Sequence, residues 1–103
     1  RSGESGSFIE SSVVGPTTQI GGNVRLKNVI IVGSPEVVAN TVIGDNTEME
    51  NVVLDTGASV GKNCILKCNG NVHVREELQG MIEIVDGVAC VLKDAKIPDG
   101  TVL

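Results

Sequence analysis

The sequence predicts an all-β fold: a single-stranded parallel β-helix built from hexapeptide repeats. Three observations carry that expectation. Aliphatic residues recur every six positions, a second column of small or β-branched residues runs two positions ahead of the first, and the apolar residues include almost no rings. Of the 103 residues 41% are hydrophobic, yet only 1% are aromatic, with one Phe and no Trp or Tyr. A core that excludes rings is narrow, and Val, Ile and Leu are the types that pack on pleated strands.

The first column runs Phe8, Val14, Ile20, Leu26 and Val32 without a break. After a slip near Ser34-Pro35 it resumes at Ile43 and Met49, shortens by one to Leu54, and continues through Val60, Leu66 and Val72. A last series is Val91, Ile97 and Leu103. The second column reads Ser12, Thr18, Val24, Thr41, Thr47, Val52, Ala58, Cys64, Ala89, Ala95 and Thr101. A helix of 3.6 residues per turn cannot keep every sixth residue on one face, whereas a short strand followed by a turn can. Both columns then point into one interior, because strand side chains alternate. Gly21-Gly22-Asn23, Gly44-Asp45-Asn46 and Gly61-Lys62-Asn63 supply the corners, where Gly and Asn tolerate positive φ. An antiparallel sandwich would instead alternate with period two over longer strands and turn every 8–12 residues, a pattern absent here.

Two segments leave the rhythm. Val32 to Val42 holds Ser34-Pro35-Glu36, and a proline cannot donate to a ladder, so a small loop at one corner is expected. Cys68 to Gly80 holds Asn69-Gly70-Asn71 and the charged Arg75-Glu76-Glu77, which predict an excursion from the stack. Met81-Ile82-Glu83-Ile84 returns to strand, Asp86-Gly87 forms a tight turn, and Val88 to Leu103 makes the last coil. Residues 1–7, with three Ser and two Gly, are expected to be a flexible lead-in or linker before a domain over 8–103, as in a piece cut from a longer protein.

The formal charge of −5 and pI near 4.7 argue against a nucleic-acid partner, which needs a basic face. No apolar run approaches the ~20 residues that span a bilayer, so no membrane partner is expected. Three Cys without a Cys-x-x-Cys pair give no disulfide framework and suit a reducing compartment.

Ile43-Gly44-Asp45-Asn46-Thr47 resembles the hexapeptide left-handed β-helix of acyltransferases and sugar nucleotidyltransferases. Asp55-Thr56-Gly57-Ala58-Ser59-Val60-Gly61-Lys62-Asn63-Cys64 is similar to a coil near the end of glucose-1-phosphate adenylyltransferase (ADP-glucose pyrophosphorylase). The segment from Asp86 through Ala95-Lys96-Ile97-Pro98-Asp99-Gly100 to Leu103 resembles that family's carboxyl terminus. The resemblance covers Val52 to Leu103 well, and the earlier half as generic hexapeptide repeat. It implies left-handed coils of about 18 residues with three faces, and a catalytic domain N-terminal to the β-helix. That missing domain would join glucose 1-phosphate to ATP, release pyrophosphate, and hold the Mg2+ and ATP, with no cofactor in the β-helix. The β-helix would serve subunit contacts in a homo- or hetero-oligomer, and part of an allosteric site, in the cytoplasm or plastid stroma. Two lysines of the family's activator site fall on Thr56 and Val85, and neither is basic.

The sequence assigns no catalytic or metal-binding residue to this domain. His73 is the single histidine that could act as the base of a hexapeptide acyltransferase, and a solvated loop histidine is the competing reading. One histidine falls short of a zinc site of the carbonic-anhydrase kind. Cys64, in the inward column, is expected to be a buried apolar residue, and Cys68 and Cys90 show no charged partner that would lower their pKa. Asp45 is a lone corner acid, unlike the repeated Asp of calcium-binding β-rolls. Thr17-Thr18 is too short for an ice-binding ladder. Lys93 and Lys96 could meet an anion or simply face solvent. A stand-alone scaffolding β-helix and a hexapeptide acyltransferase therefore remain as alternatives to the nucleotidyltransferase domain.

Overall fold

A computed structural model describes residues 8–10, 18–32, 41–70 and 72–103. Residues 1–7, the inward-column positions Ser12 and Val14, and the slip around Ser34-Pro35-Glu36 lie outside the described residues. The chain forms β1 (Phe8–Glu10), β2 (Thr18–Ile20), β3 (Arg25–Ile31), β4 (Thr41–Ile43), β5 (Glu48–Leu54), β6 (Ser59–Val60) and β7 (Ile65–Lys67). A short 3₁₀ turn (Glu76–Leu78) precedes β8 (Ile82–Val85), β9 (Val88–Val91) and β10 (Lys96–Ile97). All of these strands pair in parallel except β8, which runs antiparallel to β9.

The register fixes the coil. Phe8 pairs with Arg25, and Glu48 with Ile65, so each of these turns takes 17 residues. Arg25 pairs with Glu48, a step of 23, and Ser59 pairs with Lys96, a step of 37. Two turns therefore carry insertions into a 17-residue plan. The expected coil of about 18 is one residue too long because one corner lies inside a strand. β3 and β5 bend at Asn28 (φ 54°) and Asn51 (φ 56°), so five residues rather than six separate the inward side chains on either side. The spacing predicts this shortening at Leu54 but not in the coil below. Val32, expected to point inward, is instead 38% exposed, and Ile31 takes its place at 2%. The backbone register likewise sets Ile9, not Phe8, opposite Leu26.

Ile20, Leu26, Ile43, Met49, Leu54, Val60, Leu66, Val91 and Ile97 are buried, and Leu103 is half-buried against them. The second column is buried at Val24, Thr41, Thr47, Val52, Ala58, Cys64, Ala89 and Thr101, with Val29 completing it. Each Val, Ile or Leu removed from water this way contributes roughly 1.5–3 kcal/mol. One narrow core runs the length of the stack.

The 37-residue step has a definite root. The Cys68 N–H bonds to Glu50 O, which sets Cys68 at the level of Asn51, while Ala89 pairs with Val52. Residues 69–88 are thus inserted between two positions that are consecutive in the coil below. The insertion is not merely looped out. Val72 and Val74 pack on the core, Leu78 is 2% exposed, and Ile82 is buried. Asp86 (φ 50°) and Gly87 (φ 78°) then make the two-residue turn that folds β8 back on β9, as the Asp-Gly pair predicts.

Candidate functional site

At the corners the coils stack so closely that a Cβ would not fit at Gly21, Gly44 or Gly61. A Cβ on Gly44 would stand 2.6 Å from Gly61 C, and one on Gly21 would collide with the Asp45 carboxylate. Asp45 Oδ1 accepts the Gly22 N–H at 2.9 Å, and Asp99 Oδ1 accepts the Lys62 N–H at 2.8 Å. Each acid ties its corner to the corner one coil below, so Asp45 is not the lone corner acid the sequence suggests. That occupies the carboxylate, and among the described residues no cluster of three metal-ligating side chains forms. Beneath these corners Thr47 Oγ1 donates to Gly61 O at 2.6 Å and accepts the Cys64 N–H at 3.3 Å. Cys64 Sγ donates to Pro98 O at 3.1 Å, beside the Thr101 hydroxyl at 2.7 Å from the same oxygen. Cys64 is a buried packing residue.

Cys68 and Cys90 flank the root of the insertion but face opposite ways. Cys68 continues the inward alternation after Leu66 and is fully buried, with Sγ 3.4 Å from Gly70 O. Cys90 lies between inward Ala89 and Val91 and points outward, half-buried. Cβ vectors that diverge in this way do not meet disulfide geometry. Burial raises both thiols above 9.0, and the carboxylates of Glu83 and Asp55 push Cys90 further up, Cys68 adding to the effect. Neither is a ready nucleophile.

His73 is exposed in the extended stretch before the 3₁₀ turn, next to a solvated ion pair, Arg75 Nε to Glu77 Oε1 at 3.7 Å. Among the described residues no group hydrogen-bonds its ring. A general base needs an orienting partner and a dry pocket, and the geometry supplies neither. Thr56 is half-buried at the corner Asp55-Thr56-Gly57, where its carbonyl accepts the Asp94 N–H at 3.0 Å. Lys93 stands one coil beyond Thr56 and is exposed, as is Lys96 on β10. Val85 is 50% exposed at the hairpin turn. Thr18 lies on β2, and Thr17 is outside the described residues.

The outer faces carry what the inward columns could not reveal. On one face Arg25 stacks on Glu48, and Lys27 on Glu50 and Lys67, around a shallow depression floored by Leu26 and Met49. On the next face the outward row is apolar: Ile30, Val53 and Cys90 in register, with Ile30 47% exposed. The signal for the apolar row is the residue between each pair of inward positions, at Val29-x-Ile31, Val52-x-Leu54 and Ala89-x-Val91.

Parallel strands in stacked coils, inward aliphatic columns and Gly-Asn corners define a hexapeptide-type parallel β-helix. The family model described as the GLGC left-handed parallel beta-helix domain matches residues 4–102. The protein belongs to that family, and its coils are left-handed. Among the described residues no helix is long and apolar enough to cross a membrane.

Proposed function

We propose that this protein is the C-terminal β-helix domain of an ADP-glucose-pyrophosphorylase-like nucleotidyltransferase, and that its own task is subunit assembly. The observation that carries the reading is the family match over 4–102, which spans both long steps and the last coil. The reaction belongs to a catalytic domain N-terminal to this one. There a glucose 1-phosphate oxygen attacks the α-phosphorus of ATP and pyrophosphate leaves, with Mg2+ held by that domain. A rigid prism presents flat faces, and flat β surfaces associate unless covered. The charged ladder of Arg25, Lys27, Glu48, Glu50 and Lys67 beside the apolar row of Ile30, Val53 and Cys90 supports a contact surface for the catalytic domain or a neighbouring subunit. Assembly rather than effector binding is the proposed task, since Thr56 and Val85 cannot grip a phosphate as lysines do. The cytoplasm or plastid stroma is the proposed compartment, in keeping with three free thiols.

The test uses the full-length protein, with and without the β-helix, assayed for pyrophosphate release from ATP and glucose 1-phosphate and for mass by light scattering. The reading expects activity in the full-length protein and loss of the assembled state on removing the β-helix. A full-length protein with no nucleotidyl transfer, or an assembly indifferent to the domain, contradicts it.

A further inference from the structure

We infer that Asn69-Gly70 is a site of spontaneous deamidation and isoaspartate formation, set where the insertion leaves the β-helix. The reaction needs three things: an Asn amide free to turn back on the backbone, a following residue without a Cβ, and a following N–H not tied into a ladder. Asn69 is exposed and outside any strand. Gly70 is exposed with φ +81°, and a Cβ placed there would meet nothing within 4 Å, so this stretch of backbone has room to turn. Among the described residues none accepts the Gly70 N–H. The other described asparagines are held differently. Asn28 donates to Asn51 at 3.3 Å, Asn51 to Cys68 O at 2.8 Å, and Asn46 to Asn63 at 3.3 Å. Asn23, Asn28, Asn46 and Asn51 each precede a β-branched residue, and Asn63 precedes buried Cys64, so the attacking nitrogen is crowded.

In the step itself the deprotonated Gly70 nitrogen attacks Asn69 Cγ. A new bond forms between that nitrogen and Cγ, the Asn69 Cγ–Nδ2 bond breaks, and Nδ2 leaves as ammonia. Water then opens the five-membered imide at either carbonyl, giving aspartate or isoaspartate at position 69. No oxidant or cofactor takes part. Both products add a negative charge, and isoaspartate also lengthens the backbone by one carbon. Gly70 O anchors the Cys68 thiol at 3.4 Å, and Gly70 lies 3.7 Å from where a Gly87 Cβ would be. The modification therefore loosens the root of the insertion and exposes Cys68.

The experiment is incubation of the folded protein at neutral and mildly alkaline pH, followed by peptide mass mapping and maleimide labelling of Cys68. A gain of about one dalton is expected in the Asn69 peptide, ahead of the peptides bearing Asn51 and Asn63. The rate rises with pH, slows several-fold in Gly70→Ala and vanishes in Asn69→Gln, and Cys68 labelling rises in step with the modified fraction. If the Asn69 peptide keeps its mass as long as the Asn51 and Asn63 peptides do, the site is refuted. If Cys68 labelling stays flat as modification proceeds, the structural consequence is refuted.

Discussion

Gly44 carries no side chain because Gly61 of the next coil already fills the space, its carbonyl carbon 2.6 Å from where a Cβ would sit. Backbone cannot swing aside as a side-chain tip can, so Gly44→Ala is expected to cost about 1–3 kcal/mol. The loss should appear as a lower denaturant midpoint with an unchanged slope. Thr47→Val keeps the shape but leaves Gly61 O and the Cys64 N–H without their hydroxyl partner, for a similar loss of about 1–3 kcal/mol. The thiols add a pH dependence of known sign. Unfolded, they ionise near 9.0; folded, burial holds Cys68 and Cys90 protonated to higher pH. Below 9.0 their contribution is fully present. Above it the unfolded state loses protons first and stability falls. Urea titrations across this range should show a shallower fall for Cys68→Ala than for the parent, and identical slopes would refute the thiol as the cause. His73→Ala is expected to leave the nucleotidyl transfer proposed for the full-length protein unchanged, because the ring is solvated and unpartnered among the described residues. A loss of nucleotidyl transfer there would contradict the reading of His73 as a solvated bystander.

At the scale of elements, the corners at Asn28 and Asn51 decide how long a coil is. Their positive φ is tolerated by Asn better than by most residues, and the amide ladder from Asn28 to Asn51 to Cys68 O caps it. Asn51→Ala loses both, at about 1–2 kcal/mol for the left-handed backbone alone, whereas Asn51→Gly should recover the backbone part. Legibility follows the same line. Both inward columns can be read because burial demands a residue type at every coil, and Val24, Ala58 and Cys64 obey it as well as Ile43 does. Val32 is indistinguishable from an inward residue by type, because Val and Ile are equally acceptable inside. Nothing in Val29-Ile30-Ile31-Val32 tells which pair faces in, and only pairing with Val52-Val53-Leu54 does. The insertion is legible as a departure from the repeat, through Asn69-Gly70 and the charges after it. That Leu78 returns to the core is not, since one leucine among charged residues carries no period. Leu78→Ala should cost about 2–5 kcal/mol if that packing holds the insertion down, measured by thermal unfolding.

For the whole molecule, a core with nearly no rings and a net charge of −5 leaves one rigid prism with unlike outer faces. Family membership over 4–102 makes that prism a GLGC-type β-helix domain, and the proposed assembly role follows from what the faces present: a mixed-charge ladder on one, an apolar row on the next. The groups that could carry chemistry lie apart from one another: His73 in solvent, Cys64 and Cys68 in the core, Asp45 and Asp99 engaged with backbone N–H groups. All of this depends on which residues stand above one another. Methyl-to-methyl nuclear Overhauser contacts on selectively labelled protein measure that directly. Ile43 should contact Ile20 and Val60, and Val60 should contact Ile97, following steps of 23, 17 and 37. Contacts from Ile43 to none of these neighbours, or from Val32 rather than Ile31 to Leu54, would contradict the coil and the reading built on it.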